Sequence, residues 1–310
     1  MELHNLNQAK KPLIILGAGA RVNGIKEFIE KCKIPVFLTW GGMDLLEDNH
    51  PLNMRDFGIT SQRVGNFAIE MSDFILALGT RLDTHQPINN PNLYHVECDL
   101  SEFKGKGYYG LIESFIREVE IKYNPIWEEW RQKILKVKEK FDYKGIPYPF
   151  FEKLSEIAKE KDVIITDTGQ TLIWTMQSWK IKKGQRLFSA FNNSPMGYSL
   201  PAVIGVYHAN PKSRIICIIG DGGLQINLQE LSTIRDLNAN VNIFVIDNKG
   251  YGMIRQTQND WEGLDKNVAC NPSMPDLKKI AKAFGFAYKK LNEPQLFKKP
   301  TIIHYEIPEN

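Results

Sequence analysis

No apolar run in this 310-residue sequence approaches the ~20 residues that a membrane-spanning helix needs. The opening stretch MELHNLNQAKK lacks the apolar core of a secretion signal. Neither a membrane span nor export is therefore expected. Charge is nearly balanced: 39 Lys and Arg face 36 Asp and Glu, a net of +3 spread along the chain. That field is too weak to call for a nucleic-acid partner. Cysteine is scarce, and Cys32, Cys98, Cys217 and Cys270 stand far apart with no CxxC pair. This argues against a zinc site or a disulfide framework. Cys98 and Cys217 fall in apolar runs that read as strands, so buried free thiols in a reducing compartment, the cytoplasm, are expected. His50, His85 and His95 show no metal-ligand spacing and are expected to be structural or at the surface.

What is present is ordinary globular material, 43% hydrophobic and 24% charged, in a length that suggests two domains. Apolar runs at 13–16, 34–40, 74–79 and 93–99 read as strands, with helices at 24–32 and 61–71 and a loop at 41–61. A helix follows from 126, with Trp127, Trp130 and Ile134 near one packed face. It ends in KGIPYP, a linker by its two prolines and glycine, which sets a boundary between 1–145 and 146–310. The second half continues with a helix at 150–160, a strand at 162–166, a segment at 187–190 that leads to FNNSPMGYSLPAVIGVYHA, a helix at 276–284 and a closing strand in PTIIHYEI. Strands alternating with helices at this pace predict an α/β fold of two open parallel sheets, Rossmann-like and doubly wound. GAGARVNG, after the first strand, lacks the GxGxxG spacing of a dinucleotide site.

The informative stretch is 215–254. An apolar run at 215–219 ends in Gly220-Asp221-Gly222-Gly223. A helix with Leu228, Leu231, Ile234 and Leu237 on one side follows. A second apolar run, 241–246, ends in Asp247-Asn248-Lys249-Gly250. Such a unit is a right-handed parallel crossover that puts Asp221 and Asn248 at the carboxyl ends of two strands, where open sheets bind ligands. A carboxylate and a neutral carboxamide oxygen suit a hard cation such as Mg2+, which fills its octahedron with phosphate and water. Glycines after Asp221 let a phosphate approach the backbone and the helix N-terminus. A lone Gly-Asp-Gly is more often a plain turn, and it is the matching Asn248 turn that favours a Mg2+-diphosphate site.

The run GDG…N, together with QELSTIRDLN and NKGYGMIRQTQ, resembles the thiamine diphosphate enzyme family, and within it the acetolactate synthase group. The resemblance implies Mg2+ held by the Asp221 and Asn248 side chains and the Gly250 carbonyl. It implies cofactor contacts from Gly220, Gly222, Gly223, Gly252 and Met253. The turn Asp167-Thr168-Gly169-Gln170 is similar to the family's D-V-G-Q-H turn at the far end of the diphosphate, with Thr171 in place of His. MGYSLPAVIGV resembles the block whose Met, here Met196, wedges beneath the folded cofactor; a polarizable thioether suits that place. Two departures stand beside the expected site. FNNSP brings Asn192, Asn193 and Ser194, which suggests a more polar substrate than pyruvate, and Thr257 replaces a usual Trp.

The first half resembles the family's middle domain, which carries FAD in several members. Arg81 and Asp83 match its R-F-D pattern, but Thr84, His85 and Ile59-Thr60 do not match the flanking residues, which weighs against flavin. The family's catalytic Glu sits on an N-terminal pyrimidine-binding domain, and no counterpart stands in this sequence. The implied function is thiamine diphosphate- and Mg2+-dependent decarboxylation of a 2-oxo acid with carboligation. It would be exercised in an oligomer with a separate pyrimidine-binding protein, or as part of a longer chain. A simple 2-oxo acid decarboxylase and a non-catalytic regulatory protein retaining the site are the alternatives.

Overall fold

A computed structural model describes residues 3–61, 63–82, 85–138, 145–260 and 273–307. The chain divides into two units, Met1–Tyr143 and Lys144–Asn310. Each is built on a six-stranded sheet whose strand pairs all run parallel, as the alternating pattern implies.

In the first unit the strands are β1 (Pro12–Leu16), β2 (Val36–Leu38), β3 (Asn53–Asp56), β4 (Phe74–Leu78), β5 (Leu93–Glu97) and β6 (Lys106–Tyr109). Their order, β3-β2-β1-β4-β5-β6, is doubly wound. β3 lies inside the stretch expected to be loop. Its residues Asn53, Arg55 and Asp56 are polar yet buried, so it carries no apolar signature. Their burial is compensated locally: Asn53 Nδ2 donates to the Glu47 carbonyl at 3.0 Å, and Arg55 pairs with Asp48.

The GAGA turn after β1 uses its glycines for packing against its own chain. A side-chain carbon on Gly17 would stand 2.0 Å from the Gly79 carbonyl oxygen, beside the turn that follows β4. Trp127 is fully buried and donates from Nε1 to the Ala9 carbonyl at 2.8 Å, so the tryptophan pair does pack. His95 is also buried, its Nε2 3.0 Å from the Thr80 carbonyl and its Nδ1 accepting from the Lys104 amide. His50 Nδ1 accepts from the Leu52 amide, and His85 lies beside the Trp40 ring. Cys98 departs from expectation: β5 ends one residue earlier and leaves it exposed, whereas Cys32 and Cys217 are buried. Cys270, Asp83 and Thr84 lie outside the described residues; Arg81 pairs with Glu102 at 3.4 Å.

The second unit holds β7 (Val163–Thr166), β8 (Arg186–Phe188), β9 (Ile215–Gly220), β10 (Val241–Asp247), β11 (Ala287–Lys290) and β12 (Thr301–Glu306), in the order β11-β12-β10-β9-β7-β8. Odd positions of the central strands, such as Ile165, Cys217, Ile219, Ile243 and Val245, share one core with Leu200, Leu231, Ile234 and Ile280 from helices on that face. Even positions such as Ile164, Ile218 and Phe244 are equally buried, and Phe150 from the helix Tyr148–Ile157 packs its ring against Phe244. Burial on both faces explains why these strands read as continuous apolar runs rather than alternating ones.

The helix expected after Asp221 is in fact two, Asp221–Ile226 and Glu230–Asp236. It breaks at Asn227, whose Nδ2 donates to the Gly197 carbonyl at 3.0 Å. The turn after β7 runs on into a helix, Gln170–Ser178, that has no clear apolar periodicity of its own in the sequence. From β8 at the edge the chain crosses back to β9, so the order reverses between β7 and β9. Ligands of open α/β sheets bind at such a reversal.

Candidate functional site

The sheet register sets Thr166 beside Ile218 and Ile246 beside Gly220, so β7, β9 and β10 end close together. The next residues are Asp167, Asp221 and, after Asp247, Asn248. All twelve expected site residues line one pocket here: Thr168, Gly169, Gln170, Met196, Gly220, Asp221, Gly222, Gly223, Asn248, Gly250, Gly252 and Met253. Asp167, Thr171, Ser194, Tyr251 and Ile254 complete its wall. Of these five, Asp167 had a readable signal, because it follows β7 as Asp221 follows β9.

Asp221 is only 2% exposed. Its Oδ1 accepts from the Gly222 amide at 2.8 Å, and its Oδ2 accepts from the Gly250 amide at 2.9 Å, across from β9 to the turn after β10. Burial pushes its carboxyl up to about 6, nearby Asp247 adds to the rise, and the two amides oppose it. An acid held in this way gains from a positive partner. The Asn248 amide nitrogen donates to Gln170 Oε1 at 2.8 Å. Its other terminal atom then faces Asp221 Oδ1 at 3.3 Å and the Gly250 carbonyl oxygen at 2.6 Å. With oxygen there, three oxygens converge with no proton among them. With the carboxamide turned over, nitrogen there would donate to both.

Glycine is needed on both sides of this cluster. A side-chain carbon on Gly222 would come within 2.5 Å of the Tyr251 ring and 3.3 Å of Met196 Cε, so Met196 already rests against this turn. At Gly252 it would stand 2.0 Å from Gln170 Oε1.

One expectation, that the polar groups of FNNSP all line this wall, needs correcting, and two threonine hydroxyls nearby go to backbone carbonyls. The Thr171 hydroxyl donates to the Thr168 carbonyl at 2.9 Å, so its hydrogen bond goes to the backbone of the turn before its helix. Of Asn192, Asn193 and Ser194, only Ser194 lines the pocket, and its Oγ donates to the Phe191 carbonyl. Thr257 does not line the pocket, and its hydroxyl donates to the Met253 carbonyl one turn back.

Asp167, 1% exposed, accepts at Oδ2 from the Gly197 amide at 2.9 Å and so ties the Met196 turn to β7; its Oδ1 has no partner. Burial pushes this carboxyl up to about 6, against the pull of the amides of Gly197, Thr168, Tyr198 and Ser199. An acid whose folded value lies above its unfolded value binds more protons when folded. Its contribution to stability is therefore full below about pH 4 and is lost as pH rises through about 6. Asp167→Asn is expected to gain stability over the parent with rising pH, by up to about 2–3 kcal/mol at pH 7.5 and little at pH 4. Urea unfolding of both proteins at the two pH values checks this, and a pH-independent difference would refute it.

The second unit matches, over residues 167–300, the family pattern described as the thiamine pyrophosphate enzyme C-terminal TPP binding domain. Residues 3–112 match the thiamine pyrophosphate enzyme central domain. The chain belongs to the thiamine pyrophosphate enzyme family. Among similar members, the acetolactate synthase isozyme 1 large subunit of Escherichia coli (strain K12) is 28% identical over 97% of this chain and 59% of that protein. The acetolactate synthase large subunit of Lactococcus lactis subsp. lactis (strain IL1403) is 28% identical over 94% and 55%. That of Cyanidium caldarium is 31% identical over 90% and 53%. The chain thus spans just over half the length of these relatives.

A hard cation fits the pocket of this family member. Among the described residues no group of three or more His, Cys, Asp or Glu could hold a metal. The donors here are instead one carboxylate, one carboxamide and one backbone carbonyl, an all-oxygen set that suits Mg2+ with phosphate and water completing it. A cation would also select the carboxamide orientation in which the three oxygens converge.

Proposed function

We propose that this chain builds the Mg2+-diphosphate half of a thiamine diphosphate site, working in an acetolactate synthase-like decarboxylation and carboligation of 2-oxo acids. The observation that carries this reading is the meeting of Asp221 Oδ1, the Asn248 carboxamide and the Gly250 carbonyl at the carboxyl ends of β9 and β10, next to the sheet's reversal. Asp221 and Asn248 would hold Mg2+ by their side chains and Gly250 by its carbonyl, and the metal would hold the diphosphate. When bound, thiamine diphosphate supplies the electron sink that lets a 2-oxo acid lose CO2. The chain's part is to bind and orient. Gly222 and Gly252 leave room beside the turns, and Met196 lines the pocket against Gly222, where it would pack beneath the cofactor.

The glutamate that completes such sites in the family belongs to a pyrimidine-binding domain. We infer that it comes from another polypeptide or from a further segment of the same protein, and that the active form is an oligomer. Calorimetry of the 310-residue chain should show thiamine diphosphate binding that vanishes in EDTA. A 2-oxo acid should be consumed only when a pyrimidine-binding domain of this family is added. Binding that is indifferent to EDTA, or full turnover by this chain alone, overturns the reading.

A further inference from the structure

β12 is an apolar strand with one histidine inside it, Thr301–Glu306 being TIIHYE. Parallel pairing sets His304 beside Val245 and Glu306 beside Asp247. Across this register His304 Nε2 reaches Asp247 Oδ2 at 2.9 Å, and Nδ1 lies 3.0 Å from the Tyr288 hydroxyl on β11. A nitrogen facing a carboxylate carries the proton, so Nε2 donates to Asp247, and the other ring nitrogen is free to accept from the tyrosine. Asp247 is 5% exposed, and Lys249 gives it two further bonds, from its amide to Oδ1 at 3.1 Å and from Nζ to Oδ2 at 3.0 Å. Burial works against the charge of this carboxyl, but the bonds from His304 and Lys249 prevail and hold it below the usual carboxylate range.

These contacts converge on one turn. Asp247 fixes the amide of Lys249, a non-glycine residue at φ 61°, the left-handed conformation that side chains rarely adopt. Asn248, before Lys249, carries the carboxamide that faces both Asp221 Oδ1 and the Gly250 carbonyl, and Gly250, after it, donates its amide to Asp221. Lys249 Nζ is also held from outside by Glu306 at 2.5 Å. The strained residue between the two oxygen donors is thus gripped at its backbone by a carboxylate that a histidine on β12 holds, and the histidine is held in turn by a tyrosine on β11.

We propose that Tyr288 and His304 are positioning residues that lock Asp247, and through it the 247–250 turn, in the geometry that binds the cation. This rests on the Mg2+-diphosphate reading above. Removing a partner bonded directly to a group that touches a metal commonly costs ten- to a hundredfold in affinity. His304 and Tyr288 act one step further out, through Asp247 and the Lys249 amide, and a smaller loss is expected of them.

The test uses the 310-residue chain with thiamine diphosphate. Mn2+ serves as the probe, and the free ion is read by electron paramagnetic resonance. His304→Ala should weaken Mn2+ by up to about tenfold. His304→Gln keeps an N–H for Asp247 and should recover most of that loss, which a role in packing alone would not predict. Tyr288→Phe removes one hydroxyl and should weaken Mn2+ a few-fold, and it carries the test if His304→Ala does not fold. Parent-like Mn2+ affinity in both His304→Ala and Tyr288→Phe overturns the proposal, as does a glutamine variant as weak as the alanine one. Failure of the parent chain itself to bind Mn2+ overturns the metal reading, and the positioning role falls with it.

Discussion

Asp221→Asn is expected to make the ligand-free protein more stable while abolishing its Mg2+-dependent binding of thiamine diphosphate. The opposite signs follow from one fact, that Asp221 is a buried carboxylate whose ionisation the fold resists. At pH 7.5 the parent keeps that charge in place at a cost of about 1–3 kcal/mol, allowing for the solvent that still reaches the pocket. Asparagine has nearly the same shape and can still accept one of the two amides from Gly222 and Gly250. The folded form should survive, with a melting midpoint a few degrees higher. Metal affinity should fall by at least about a thousandfold, about 4 kcal/mol, because the cation loses its charged side-chain ligand. Differential scanning calorimetry and titration calorimetry on the same two samples measure both effects. A variant that binds thiamine diphosphate as the parent does removes Asp221 from the site.

Gly252→Ala is expected to be nearly as damaging, by a steric route. Gly252 begins the helix Gly252–Asp260, a place where alanine is intrinsically the better helix former. Its methyl, however, would stand 2.0 Å from Gln170 Oε1 and 2.4 Å from Asn248 Nδ2. Both are ends of side chains, so the protein yields by moving them, and that movement pulls Asn248 away from Asp221 and Gly250. Metal-dependent cofactor affinity should fall about ten- to hundredfold with the circular dichroism unchanged. Adding Gln170→Ala should return part of the loss, since it clears the nearer obstacle. A double variant no better than Gly252→Ala alone would show that the glycine is needed for some other reason.

How much of this was legible in the sequence depends on the range of each signal. Asp221 and Asn248 sit at the ends of apolar strands within one crossover unit, so short-range pattern placed both. β3 escaped because Asn53, Arg55 and Asp56 are buried by pairing rather than by apolarity. The break at Asn227 escaped because its cause is a bond to Gly197, thirty residues away in sequence. His304 had no readable role at all. Its partner Asp247 lies 57 residues back, and only the register of β10 against β12 brings them together. The bonds of Thr171 and Thr257 follow a local rule instead: a hydroxyl in a helix commonly bonds to the preceding turn, and both do so here.

The meeting of three strand ends at one pocket also bears on how the sheet keeps its alignment. β9 joins β10 by pairing Ile215 with Val241, while β7 joins β9 by pairing Val163 with Ile215, across twice the length of chain. A slip of one residue in either pairing would turn side chains to the opposite face and carry Asp167 or Asp221 away from the turn after β10. A ligand that touches all three ends binds only the correctly aligned sheet, and by mass action it draws the population of slipped forms down in proportion to its occupancy. In this fold the cofactor would act as a proofreader of strand alignment.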